Sequence, residues 1–546
     1  MTDPILPTLS TTDRTPPVSG PSPRSAMKSH TPHHARRRGA VVAVVAAAAM
    51  LLAACGGGSN DSGADAAKNA DGTVTIGTMF PPGTLDPTTG TQGSDLAYLD
   101  YIFDRLIQQD PDTGELVPML ATSWEFVGDD KLALEVKLRE DVKFQDGTPF
   151  NAQAVVDYSK DFIEAGNIAN LLEFVTDITA DDEYTVTYHL SQQNARLPMA
   201  LTARAGMIPS PTAVEKEGKD FALHPVGTGP FKFVSQVQGA SYKFERFDGY
   251  WDNDNLDRVK NVEFKIFQSD TALVNGIRSN DVDAALHLLP QDVKTLKPIK
   301  NLQVEVSPAN AIGIAYLNAS LKPLDDERVR LAFNLALDRE AIAETVTDGL
   351  GEAVTQSLPP GAHGYIKDME PVWEQDVDRA KQLMADAGYA DGVKMTCYAY
   401  SGLGFETGGP IIIDQLKKIG IDLKIVPATP AQVGPFFTNE TKEQCAFANW
   451  GSTEPFKAYQ LLWSKSYYNA GKVDFGIDDD IAAFYSAYDN SSEDELVKSI
   501  LTKQQSAPGY VPIFRAPVVD VYGEDIGGWT KSELGIGNWR GIGFKG

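Results

Sequence analysis

Between residues 377 and 451, runs patterned like helices alternate with runs patterned like strands. VDRAKQLMADAGY spaces its apolar side chains as a helix does, VKMTCYAY reads as a strand, PIIIDQLKKIGI as a helix and DLKIVPA as a strand. After a loop and a further helix, CAFANW is again a strand. Strands separated by helices are joined by crossovers, and crossovers build parallel sheets. This alternation sets one lobe as α/β. The long amphipathic run DERVRLAFNLALDREAIAETV leads into it from a strand, IAYLN.

Upstream the grammar is different. In KLALEVKLR, Leu132, Leu134, Val136 and Leu138 alternate with the residues between them, and TVTYHL is a strand of the same kind. Residues 151–165 read as a helix capped by Asn151, and SDLAYLDYIFDRLIQQD as one capped by Ser94. Gly227, Gly229 and Pro230 make a tight turn before two aromatic-rich runs that suggest a hairpin. DTALVNGIRSNDVDAAL reads helix, turn, strand, and YVPIFRAPVVDVY near the end can rejoin an earlier sheet. A chain of 546 residues is long for one core, and two to four domains are expected. The pattern predicts at least two α/β lobes with an antiparallel, β-rich insert.

The N-terminus carries a separate message. Arg36, Arg37 and Arg38 precede the apolar run VVAVVAAAAMLLAA, which ends at Cys55 and is followed by GGGSNDSG. A basic segment, a short apolar core and small residues describe a secretory signal peptide over residues 1–54. The apolar run is shorter than the ~20 residues a spanning helix needs. Leu52-Ala53-Ala54-Cys55 matches the lipobox of bacterial lipoproteins, which makes Cys55 the expected lipidated first residue; the alternative is an ordinary signal peptide with an incidental cysteine. The leader is long, and either Met1 or Met27 can be the start. Residues 55–70 read as a flexible tether. The formal charge of −26 becomes about −30 once the leader, with its six Lys/Arg and two Asp, is removed. A chain this acidic is not built for nucleic acid, or for broad contact with an anionic bilayer. Its contact with the membrane would be the lipid anchor.

Catalytic and metal signatures do not appear. His189, His224, His287 and His363 are widely separated, with no HExxH, HxH or CxxC spacing, so neither a metal site nor a cofactor is expected. No GxSxG elbow and no phosphate loop occur. Asp325-Asp326-Glu327 and Asp478-Asp479-Asp480 each stand where a helix begins and complement its dipole. Cys397 and Cys445 lie in strands that a parallel sheet can make neighbours; they either pair as a disulfide or remain two buried thiols.

Eight segments in order carry a resemblance. They are GTLDP (83–87), LATSWEF (120–126), VKLREDVKFQDGTPFNAQAV (136–155), VGTGPFKF (226–233), FDGYW (247–251), YLNASLKPLDDERVRLAFNLALDREAI (316–342), LPPGAHGY (358–365) and DRAKQLMADAGYADG (378–392). Through them the chain resembles the oligopeptide/dipeptide type of solute-binding proteins of ABC importers, family 5, from about Thr73 to the C-terminus.

The resemblance implies a bilobal periplasmic-binding-protein-like fold with an additional third, insert domain and discontinuous domains. Lobe I would comprise 71–106, 208–313 and 513–546, the insert (lobe II) 107–207, and the α/β lobe III 314–512. A small solute, in many members a peptide, would bind between lobes I and III, which close by a hinge. The protein would be a monomer on the outer face of the cytoplasmic membrane, delivering the solute to an ABC permease with its ATPase subunits. The ligand-binding residues expected are Phe80, Gln92, Ser94 and His287 from lobe I, with Tyr400, Phe405, Asn449, Trp450, Glu454 and Tyr459 from lobe III. Phe447 and Phe456 are expected in the core. In peptide-binding members an Asp shortly after the strand-end tryptophan pairs with the ligand's α-amine. Here that position falls on Gly451 or Ser452, and the nearby carboxylate is Glu454. Either Glu454 is the anchor, or the solute lacks a free α-amine. A secreted envelope hydrolase would need a nucleophile, base and orienter that the sequence does not show. A sensor lipoprotein on the same fold is the remaining alternative.

Overall fold

The computed structural model describes residues 69–545, apart from 70, 91–92, 112, 167–168, 254–258, 363, 368, 370–372, 401–403, 452–457, 459–461, 464–467 and 530–538. Cys55, Gln92, Glu454, Phe456 and Tyr459 therefore lie outside the described residues.

β1 (Thr73–Thr78) opens the chain, and a short helix, Leu96–Ile102, follows it. That helix starts after Asp95, whose side chain makes no cap bond; Ser94 sits one residue earlier in a 3₁₀ turn and is not the expected cap. Next come the small hairpin β2 (Ile107–Gln109) and β3 (Leu116–Pro118), then β4 (Ala121–Val127), β5 (Ala133–Leu138), β6 (Val175–Asp182) and β7 (Thr185–Leu190). The last four form an antiparallel sheet in the order β4-β5-β7-β6. On β5, Leu134, Val136 and Leu138 are buried, as the alternation requires. The helix Ala152–Ala165 packs on β6 and β7. The Asn151 side chain caps it by accepting from Ala154 N, and Gly166, at φ 73°, ends it.

Ten further strands join β1 in one large sheet: β8 (Phe231–Val237), β9 (Ser241–Arg246), β10 (Asn261–Ile266), β11 (Ala284–Leu288), β12 (Leu302–Leu317), β13 (Glu352–Ala353), β14 (Val393–Tyr400), β15 (Ile421–Ala428), β16 (Cys445–Gly451) and β17 (Tyr510–Gly523), while Ile526–Gly527 and Gly543–Phe544 pair separately. Its order is β15-β14-β16-β12-β17-β11-β1-β10-β9-β8, with β13 on β17. β14 runs parallel to both β15 and β16, as the helix–strand alternation predicted. Cys397 and Cys445 are register partners on β14 and β16, with Cα atoms 4.5 Å apart, and form a disulfide.

Two strands tie the halves of this sheet together. Leu302–Pro308 of β12 pairs with Pro517–Gly523 of β17 beside β11, while Ile312–Tyr316 pairs with Tyr510–Arg515 beside β16. Positions 313/314 and 512/513 thus fall inside continuous strands, because β12 starts twelve residues earlier than the run IAYLN suggests. Between the two paired stretches the register shifts at Pro308/Ile312. Arg515 braces that bulge: its Nε donates to Ala309 O at 2.6 Å and its Nη1 to Pro360 O at 2.9 Å.

Several shared motifs turn out to be clamps. Gln145, in VKFQDGTPF, donates to the carbonyls of Ile102, Gly229 and Phe231 at 3.1, 3.0 and 2.8 Å. A Cβ on Gly227 would stand 2.3 Å from Ile102 O, so the VGTGPF turn needs its glycine. In FDGYW, Tyr250 Oη and Trp251 Nε1 donate to the buried Asp104 at 3.2 and 2.9 Å, and Arg540 ion-pairs with the same carboxylate. The segment that carries the four-stranded sheet is also fastened to the helices Asp478–Tyr485 and Asn490–Ser506. Arg196 pairs with the buried Glu493 and Tyr485 Oη donates to Glu173 at 2.6 Å, within one continuous apolar core.

Candidate functional site

Strand direction locates the site. β16 is antiparallel to β12 and ends at Gly451, opposite Ala311 in the bulge; β14, parallel to β16, ends on the same side at Tyr400. From the other half, β11 is antiparallel to β17 and ends near Val519, and β1 runs parallel to β11. The carboxyl ends of both half-sheets therefore converge on the β12–β17 crossing. Ligands of α/β sheets collect at carboxyl strand ends, and here two sets meet at a register break suited to bending.

The first-half wall follows from β1 and β11. Phe80 lies two residues past β1 and is 40% exposed; its N–H donates to Thr78 Oγ1 at 3.2 Å, and its carbonyl accepts from Tyr98 Oη at 3.0 Å. The His287 ring stands 5.8 Å from that of Phe80. His287 interrupts the apolar strand end with a left-handed backbone, φ 59°, and its N–H donates to Asp520 Oδ1 at 2.9 Å. It is exposed, not the satisfied core histidine that its apolar neighbours would equally allow. Asp520 faces Glu305 across the β12–β17 pairing. Burial raises the Asp520 carboxyl above its ordinary range and Glu305 adds to this, while the charge and N–H of His287 oppose it. The loop that follows Phe80 is held by the buried Asp95, which accepts from Gly83 N at 2.7 Å and pairs with Arg204 at 3.0 Å. Ser94, half-buried, sits beside that anchor.

The second-half wall is aromatic. Tyr400 is half-buried at the end of β14, and Asn449 is exposed on β16. Trp450 is buried beneath Tyr468, ring centroids 5.9 Å apart. Tyr468 in turn lies 5.0 Å from Phe437 and stacks on Tyr316 at 5.8 Å. Phe405 is a correction: it is fully buried on the opposite face of the sheet, against Phe447 and Phe514, and presents no surface to a solute. Phe447 is core, as alternation with Trp450 requires. Phe80 and His287 thus stand at strand ends of one half-sheet, and Tyr400, Asn449 and Trp450 at strand ends of the other. Tyr316, Phe437, Tyr468 and Arg515, which pack beside these strand ends, were not among the sequence candidates. Only Arg515, a charge amid the apolar run YVPIFRAPVV, left a signal in the sequence.

The model of the bacterial extracellular solute-binding proteins, family 5 (middle), matches residues 115–472. The chain belongs to this family. It is 27% identical over 498 residues to the glutathione-binding protein GsiB of Shigella flexneri serotype 5b, covering 87% of this chain and 94% of that one. Two solved structures share the fold. One is the periplasmic binding protein DppA of Helicobacter pylori in complex with the peptide STSA: TM-score 0.78, 21% identity, 88% of this chain and 99% of that one. The other is NikZ of Campylobacter jejuni in complex with Ni(L-His): TM-score 0.76, 20% identity, 86% and 99%. Family 5 membership makes the chain a solute-binding protein that acts outside the cytoplasm with an ABC importer.

Proposed function

We propose that this family 5 protein captures a small peptide between its two half-sheets and releases it to an ABC permease driven by ATPase subunits. The convergence of both sets of strand ends on the β12–β17 crossing carries this reading. The relative named for glutathione and the fold neighbour holding STSA favour a peptide over other solutes. In this reading lobe I comprises 71–106, 208–313 and 513–546, the insert 107–207 and lobe III 314–512, so the two crossing strands form the hinge. Phe80, His287, Tyr400, Asn449 and Trp450 line the cleft, joined by Gln92, Ser94, Glu454 and Tyr459. Glu454 is the partner of the ligand's ammonium group, since a desolvated cation in a closed cleft needs a carboxylate. The protein binds without turnover, acts as a monomer and is held to the outer face of the cytoplasmic membrane through lipidated Cys55.

Native mass spectrometry of the purified protein is the direct test. A co-purified mass matching a short peptide, intact after incubation, is the expected result; peptide cleavage, or a bound solute without an amide, would sink the proposal. Separately, Cys55→Ala should move the protein from the membrane to the soluble fraction.

A further inference from the structure

On the second-half wall one polar atom has nothing to do. Tyr316 is 1% exposed, and its hydroxyl finds no hydrogen-bond partner among the described residues. Native interiors seldom leave such a group orphaned, because burying a hydroxyl without a partner costs about 1–3 kcal/mol. Tyr316 lies on β12 opposite Ala446 of β16, and Ala448 follows on the same face, so only small side chains of β16 stand beside the ring. Phe437 meets the ring edge-on at 5.1 Å, and Tyr468 stacks on it. Tyr468 also touches Trp450, whose strand ends at the crossing. A chain of ring contacts therefore runs from the strand ends to Tyr316.

We propose that the Tyr316 hydroxyl donates a hydrogen bond to the captured solute, at the floor of a subsite walled by Tyr468, Phe437 and Trp450 that takes an apolar peptide side chain with its adjoining carbonyl. Burial and the neighbouring Tyr468 and Tyr400 hold the phenol far above its ordinary pKa, so it stays protonated and keeps a hydrogen to donate. The occupant must bring an acceptor and must tolerate aromatic walls, which fits a backbone carbonyl beside a ring or branched side chain. This inference rests on the peptide reading above.

The test titrates wild type, Tyr316→Phe and Phe437→Leu calorimetrically with Ala-Phe-Ala and Ala-Ala-Ala, after stripping bound solute, with ligand-free melting recorded in parallel. Tyr316→Phe should lower affinity for both peptides about tenfold while the ligand-free melting temperature holds or rises, because the variant removes an unpaired hydroxyl. Phe437→Leu should reduce the preference for Ala-Phe-Ala over Ala-Ala-Ala. Affinities within twofold of wild type in Tyr316→Phe, or a fall matched by a lower ligand-free melting temperature, would overturn the subsite. Wild type binding neither peptide would overturn the peptide reading itself, and the subsite with it.

Discussion

The two walls that meet at the crossing are built on different chemistry. The β1–β11 side fixes its groups with charge: Asp95 and Arg204 clamp the loop after Phe80, and Asp520 holds His287. The β14–β16 side relies on ring packing, with Trp450, Tyr468, Phe437 and Tyr316 in a chain, and on a disulfide between its central strands. Three carboxyls on the first side, Asp283, Asp292 and Asp520, are pushed above their ordinary range; the other such carboxyl among the described residues, Asp161, lies away from both walls on the helix Ala152–Ala165. One wall should therefore respond to charge mutations and pH, and the other to lost volume and lost cross-links.

The sharpest way to break this contrast is Arg204→Met. It leaves Asp95 buried without its cation, and removing one partner of a buried pair costs about 3–5 kcal/mol. A midpoint shift in urea unfolding reads that loss, and solute affinity should fall with it because the loop after Phe80 is released. The matching change on the other wall, Cys397→Ala with Cys445→Ala, opens a loop of 48 residues. It should cost about 2–4 kcal/mol, with solute affinity at 25 °C little changed. Equal losses of affinity in the two variants would erase the distinction between the walls.

How far the sequence foretold these walls depended on the kind of signal each residue left. The alternation VKMTCYAY to CAFANW located β14, β15 and β16 correctly, because crossover topology is written in local periodicity. The long β12 was read short. Its first half, LQVEVSPAN, is partly exposed and polar and does not announce a strand that serves two half-sheets. Trp450 and His287 stood out as an aromatic and a histidine at strand ends. Tyr316 did not, since a tyrosine in IAYLN looks like any core residue until its hydroxyl is seen to lack a partner. Phe405 was placed on the wrong side because a helix start behind a glycine-rich loop does not reveal which face its ring takes.

A smaller effect separates backbone strain from side-chain function on the first wall. His287 holds a left-handed conformation that costs a non-glycine residue about 1–2 kcal/mol. His287→Gly relieves that cost but loses chain entropy on folding, so thermal stability should stay within about 1 kcal/mol of wild type. Solute affinity should fall severalfold as the ring beside Phe80 disappears. Unchanged affinity would remove His287 from the cleft surface while leaving its Asp520 contact intact.

The smallest expected effect is in pH dependence. Asp292, four residues past the end of β11, is pushed up to about 6 by burial and by the neighbouring Asp270 carboxyl, to which it hydrogen-bonds. The folded state thus holds a proton that the unfolded chain, with an ordinary carboxyl near 3.8, has already released. Between those two values the native protein binds more protons, so stability falls as pH rises, and the loss is complete above about 6. Asp292→Asn should flatten that decline and leave the variant slightly more stable than wild type at pH 7.5, with the two equal near pH 3.5. Parallel stability curves for the two proteins from pH 4 to 7 would show that this pair carries no shared proton. The acid response of the first wall would then have to come from Asp520, whose charge His287 relieves, or from Asp283.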